Sequence, residues 1–200
     1  MAISNGYATL NDVKAALRIP TGDTIDDALL ESAIESASRL IDGYASRSFY
    51  SAGSAVRLFV AESWDYATID DAITITKVET SSQVDGTFDV TWAESDYQLE
   101  PLNGRVDGLS WPSYGIRAIN NLAFPIIGGG AGIRITGTWG WSAVPTQIKQ
   151  ATVIQASRIF KRLDSPLGII SGEYGAFRVC TRLDPDVSML VDPFKIVRMA

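Results

Sequence analysis

Two hundred residues, 46% hydrophobic and 20% charged, supply enough apolar material for one ordinary globular domain or two small ones and exclude a disordered chain. The net charge of −6 is divided unevenly, at −3 over residues 1–50, −6 over 51–144 and +3 over 145–200; a nucleic-acid reader needs a basic face for phosphate, and the middle of this chain offers the reverse. One cysteine and no histidine exclude an internal disulfide, a Ser-His or Cys-His nucleophile pair and a His-containing zinc site. No apolar run approaches about 18 residues, so no membrane partner is expected. Residues 1–12 lack the basic start and apolar centre of a signal peptide, which points to synthesis in a cytoplasm-like compartment.

Taken in order, Thr9 and Asp12 form an N-cap pair, Leu10, Val13, Ala16 and Leu17 an apolar stripe, and Pro20 a stop, which predicts a short helix near 9–18. Thr21-Gly22-Asp23 is a tight connection. Beyond it Leu29, Leu30, Ala33, Ile34, Ala37, Leu40, Ile41 and Tyr44 recur at helical spacing and predict a long amphipathic helix near 24–49. Asp23, Asp26 and Asp27 crowd its start, where free N–H groups and the helix dipole favour negative charge. From Ala55 the period becomes two. Residues 55–61, 72–78, 87–92, 97–102, 115–119 and 132–139 are rich in β-branched and aromatic side chains, and Asp85-Gly86 reads as a two-residue hairpin turn.

Helical spacing returns after Pro145, with Ile148, Ala151, Thr152, Ala156, Ile159, Phe160 and Leu163 on one face of a helix near 145–163 and Arg158, Lys161 and Arg162 at its cation-favouring end. Residues 168–175 read as a glycine-punctuated loop and 176–181 as a short strand. Asp184-Pro185 opens a last helix near 185–192. The expected fold is α+β: a small helical bundle of residues 1–50 plus 145–200, discontinuous in sequence, with an inserted antiparallel β-sandwich or barrel-like module of residues 51–144. The two long helices are expected to pack side by side, with the β module protruding from the hairpin they make.

The runs ATLNDVKAALRI, DDALLESAIESASRLIDGYASRSF and TGTWGWSAVPTQIKQATVIQASRIFKRLDSPLG, followed by LDPDVSMLVDPF, resemble the head-tail connector family of tailed phages, also called head-completion or adaptor proteins. The resemblance spans residues 8–50 and 131–194 and is most specific from the GWSAVP start to the Arg158–Gly168 exit. It implies a structural protein of the virion neck, assembled in the host cytoplasm, without enzymatic activity, metal or cofactor. It further implies a ring of about twelve copies under the portal protein, built from heterologous contacts, that extends the DNA channel and docks a stopper or tail-completion protein. DNA would pass through without sequence-specific binding, which suits an acidic wall.

Phe177, Arg178, Arg182, Phe194, Lys195 and Arg198 lie in the basic C-terminal region. They have two readings: an arm that folds onto the portal or a neighbouring subunit, or a strand and helix that cover the core. Trp64, Trp92, Trp111, Trp139 and Trp141, with Tyr66, Tyr97 and Tyr114, stand among Glu62, Asp65, Glu94 and Asp96. Such a set describes either core and subunit contacts or the alternative function, a carbohydrate-binding or adhesin-like β module of a phage tail. Asp70-Asp71 and Asp184-x-Asp186 supply too few oxygens for calcium and read as caps and turns. Cys180 reads as an apolar filler without a base partner. The loop PIIGGGAG at 125–132 lacks the Lys-Ser/Thr ending of a phosphate cradle.

Overall fold

Thr9 Oγ1 accepts the Asp12 N–H at 3.2 Å while the Thr9 N–H donates to Asp12 Oδ2 at 2.9 Å, and this reciprocal cap starts helix α1 (Leu10–Leu17). The computed structural model describes residues 3–83, 85–126, 130–162, 169–172, 175–178 and 183–196, the strands within 169–178 by their backbone. Two compact units divide the chain: residues 1–49 with 144–200, and residues 50–143.

In the first unit α1 closes on Arg18, whose backbone turns left-handed (φ 59°), and helix α2 (Asp27–Ala45) follows. It begins later than the predicted residue 24 because Asp23 and Thr24 are used in turns. Asp23 Oδ1 accepts the Ile25 N–H at 3.2 Å, and the Asp27 N–H donates to the Thr24 carbonyl. It ends before 49 because Ser46 adopts φ 56°. Leu30, Ala33, Ile34, Ala37, Ser38, Ile41 and Ala45 are its buried face, whereas Leu29 and Leu40, expected inside, sit at the margin of the stripe and are half-exposed. Helices α3 (Thr146–Lys161) and α4 (Pro185–Val191) complete the set, α4 capped by Asp184 as the sequence indicated. Ala8 and Val13 of the first segment, Leu30, Ile34 and Ala37 of α2, and Val153 and Ala156 of α3 form one core.

Lys14 lies inside this unit, 2% exposed. Its ammonium pairs with the Asp27 carboxylate and donates to the Asp23 carbonyl at 2.6 Å, so one charge fixes the corner between α1 and α2. A second ion pair, Lys149 with Asp12 at 2.9 Å, joins α3 to the α1 cap. At the other end of α2 the Tyr7 hydroxyl donates to Asp42 Oδ1 and accepts the Phe49 N–H at 2.7 Å, and the Phe49 ring meets Tyr7 and Phe194 edge-on at 5.7 and 5.8 Å.

The second unit holds β1 (Ser51–Phe59), β2 (Tyr66–Thr80), β3 (Val90–Trp92), β4 (Tyr97–Glu100), β5 (Arg105–Val106), β6 (Leu109–Ser110), β7 (Ser113–Ala118) and β8 (Ile133–Gly140). All pairings are antiparallel. The main sheet runs β1-β8-β2-β7-β4 with β3 beside β2, and β5–β6 is a separate ribbon. Trp139, Ile133, Ile135, Val78, Ile116, Ala67, Trp92 and Phe124 make its core. Gly140 (φ 99°) lies so close to the Tyr50 carbonyl that a Cβ would overlap it, which requires glycine where β8 ends. Asp85-Gly86 is not a two-residue hairpin: Thr80 pairs with Val90, so residues 81–89 form the connection. Asp85 instead accepts the Thr87 N–H at its tip, and Asp89 accepts from Ser82 across its base.

In the first unit a hairpin of β9 (Ile169–Gly172) and β10 (Gly175–Arg178) occupies what was read as a loop and a strand. Leu163, the stop at 164–168 and Cys180 lie outside the described residues.

Replacing Lys14 with Met should leave Asp27 without its partner at the corner and lower the stability of the helical unit by about 2 kcal/mol. Urea unfolding followed by far-UV circular dichroism measures this.

Candidate assembly surfaces

Of the six C-terminal residues singled out in the sequence, two have described side chains. Phe194 is 1% exposed and packs on Phe49, while Lys195 places its ammonium 4.5 Å from the centre of the Tyr44 ring. Tyr44 also donates to Asp192 at 2.6 Å, and the Ile196 N–H donates to the Ala45 carbonyl at 2.9 Å. The segment through residue 196 is therefore tied to the end of α2, and Phe194 covers the core. Phe177 and Arg178 fall in β10, described by its backbone, and Arg182 and Arg198 lie outside the described residues.

The tryptophans do not form one open face. Trp92, Trp139 and Trp141 are buried, with their indole N–H groups donating to Thr80 Oγ1 at 2.9 Å, the Ala55 carbonyl at 2.8 Å and Asp71 Oδ2 at 2.9 Å. Trp92 also stacks flat on Phe124 at 4.8 Å, and Trp111 packs against Trp141 at 5.3 Å. Trp64 is largely exposed. Among the acids, Asp65 pairs with Arg117 at 2.6 Å, and Asp96 accepts the Ala93 N–H at 2.8 Å. Asp70 and Asp71 are not turn residues; they sit in β2 where its pairing with β7 shifts register. Asp70 there pairs with Arg57 at 2.7 Å, and Asp184 pairs with Arg158 at 3.0 Å.

The strongest electrostatic feature is Glu79, its side chain 7% exposed on β2. Arg134 on β8 grips both carboxylate oxygens at 2.9 and 2.8 Å, and Lys77 adds a third contact at 2.8 Å. These donors hold its carboxyl down to about 2, with Arg134 the larger cause. The Phe88 ring lies 4.6 Å from the Arg134 guanidinium. With Arg57–Asp70 and Arg117–Glu100–Asp65, this leaves Arg57, Lys77, Arg117 and Arg134 all neutralised within the β unit.

Two apolar features face outward. Along α2, Leu29, Ser32, Ser36, Leu40 and Gly43 make an uncharged exposed stripe. On β1 and just beyond it, Val56, Leu58 and Val60 alternate along one side at 58%, 55% and 49% exposure. Sequence reasoning missed this exposed sheet face, because alternating aliphatics in a strand signal a buried face and no local pattern shows whether anything covers it. Among the described residues no group of three or more His, Cys, Asp or Glu is placed to hold a metal, and no helix is long and apolar enough to cross a membrane.

The molecule is thus an α+β protein that exposes an uncharged stripe on α2 and a row of aliphatic side chains on β1. Residues 7–88 match the model of the family described as phage gp6-like head-tail connector protein, so the resemblance seen in the sequence holds over that stretch. The match takes in α1, α2 and the first two strands; it does not reach residues 131–194, where the sequence resemblance was read as most specific. The fold is similar to a chain in the neck of an empty GTA particle computed with C6 symmetry, at 20% identity over 100% of this chain and 95% of that one, with a TM-score of 0.58. It is likewise similar to a chain in the neck of a native GTA particle computed with C12 symmetry, at 20% identity, 100% and 94% coverage and a TM-score of 0.57. A chain in the virion of a native gene transfer agent particle gives 22% identity, 100% and 95% coverage and a TM-score of 0.58. No curated protein sequence matches the chain.

Substituting Phe194 with Ala should cost the helical unit about 3–5 kcal/mol, whereas Lys195→Ala should cost under about 1 kcal/mol, both read from thermal unfolding. Glu79, held below its ordinary value of 4.5, contributes stability that is complete above that pH and lost as the pH falls through about 2. Arg134→Gln should move the Glu79 midpoint upward toward 4.5, seen by carboxyl-carbon NMR titration.

Proposed function

We propose that this protein is a head-tail connector of a tailed phage or phage-like particle, acting in the virion neck as a ring that sits under the portal protein. The ring extends the DNA channel and presents a docking surface for a stopper or tail-completion protein. The observation that carries the reading is the connector-family match over residues 7–88, in a chain whose whole fold resembles chains from particle necks computed with C6 and C12 symmetry.

The physical character of the surfaces supports it. A channel wall must let DNA pass without holding it, and the β unit combines a net charge of −6 over residues 51–144 with cations already engaged by carboxylates. Ring assembly needs two different patches per copy, and the chain exposes an uncharged helical stripe and a row of aliphatic side chains on one face of β1. The portal ring would gather copies at high local concentration, so contacts too weak to join free monomers would hold on that template. No bond is made or broken in this mechanism; the protein acts by shape and contact.

Mass photometry of the purified protein with and without the portal ring tests the proposal. The expected result is a small species alone and a portal-bound ring of about twelve copies when mixed. A monomer indifferent to the portal ring would overturn it. The same samples should not retard duplex DNA at physiological salt.

A further inference from the structure

Resting on the ring reading, we propose that the loop surface around Trp64 in the β unit docks a different protein of the neck, through a segment in which lysine or arginine flanks an apolar side chain. Three loops build this surface. The Ala118 N–H donates to the Asp65 carbonyl at 2.7 Å, the Ile119 N–H to the Asp96 carbonyl at 2.9 Å and the Phe124 N–H to the Trp64 carbonyl at 2.7 Å. The Asn120 side chain donates to the Ser95 carbonyl at 2.6 Å. Residues 60–66, 93–96 and 118–126 are thereby tied together, and Phe124, buried beneath them, stacks on Trp92 at 4.8 Å. A surface fixed in this way loses little freedom when a partner binds.

The loops are apolar at their outer side. Trp64 is 64% exposed, Ile126 56% and Leu122 37%. Trp92, Trp139 and Trp141 are all buried, which sets Trp64 apart. A tryptophan held outward on a fixed loop is the residue type that most often anchors a protein contact, because its ring takes a large area out of water when it is covered.

Charge carried by these same loops selects the occupant. Residues 60–66, 93–96 and 118–126 contain Glu62, Asp65, Glu94 and Asp96 and neither lysine nor arginine. The neighbouring cation, Arg117, is taken by Asp65 at 2.6 Å and Glu100 at 2.8 Å, which leaves Glu62, Glu94 and Asp96 to set the sign of the surface. Such a surface repels DNA, and against the same loops of a second copy it would set acid against acid. Other faces of a second copy fit no better, because most lysines and arginines among the described residues already pair with the chain's own carboxylates. A basic segment of a different protein meets both demands: its apolar side chain covers Trp64 and its cations face Glu62 and Glu94.

The test places benzoylphenylalanine at Ile126 in the full-length protein, assembles it into particles and irradiates them. Mass spectrometry should find a crosslinked segment of a different neck protein in which lysine and arginine outnumber aspartate and glutamate. A segment of another copy of this chain, a segment without that basic excess, or no crosslink at all would overturn the inference. The double variant Glu62→Lys with Glu94→Lys, at exposed positions, should leave the circular dichroism of the free protein and the ring on the portal unchanged and lower the crosslink yield at least about tenfold. Trp64→Ser should do the same. An undiminished yield would overturn this inference and leave the ring reading intact. A double variant that folds but forms no ring would give this surface to neighbouring copies and overturn it as well. Failure of the unmodified protein to form any ring would overturn both.

Discussion

The helical unit depends on one hydroxyl. Tyr7 donates to Asp42 and accepts from the backbone of Phe49, so a single side chain joins the N-terminal segment, the last turns of α2 and the residue that leaves them. Burial and the bond to Asp42 push its ionisation far above the ordinary tyrosine value, which keeps it a donor at any physiological pH. The Tyr7 N–H reaches the buried Ser38 hydroxyl at 3.1 Å, and that hydroxyl returns a bond to the Ile34 carbonyl at 2.8 Å. Because Phe49 then supports Phe194, the C-terminal segment is held by the same node. Remove the hydroxyl and a buried N–H loses its acceptor, at a cost of about 1–3 kcal/mol.

The helices were legible because their signals are local. The cap at Thr9, the stripe Leu30-Ile34-Ala37-Ile41 and the N-cap Asp184 each lie within a few turns of sequence. The α+β class followed directly from the change of period at Ala55. What the sequence hid depends on partners far away. That Leu29 and Leu40 are outside, and that Phe194 is buried, follows from the width of the face that α3 and the C-terminal segment cover, which no local pattern encodes. Lys14 is the clearest case: a lysine in an exposed-looking position is drawn inside by Asp27 and a carbonyl of the connecting turn.

The strands show the same division. Their alternation was readable, but Asp85-Gly86 misled, since Asp-Gly also forms the tip of a longer connection when flanking side chains close its base, as Ser82 and Asp89 do. Of the residues read as a binding arm, Phe194 has a core role in the structure and Lys195 lies on Tyr44. The tryptophans proved to be chiefly packing and hydrogen-bonding elements, consistent with the blander of the two readings given them. The exposed face of β1 was illegible, because whether anything covers a sheet face is a property of the tertiary arrangement and not of the strand.

The helical unit is interrupted in sequence by the whole β unit, residues 50–143. During translation α1 and α2 leave the ribosome with the Leu30–Ile34–Ile41 face bare, and α3, which covers part of it, follows only after the sheet has been made, a delay of roughly 5–20 seconds at ordinary elongation rates. Phe194 arrives later still. A nascent chain that has not yet reached α3 therefore displays an apolar helical face that only later residues cover.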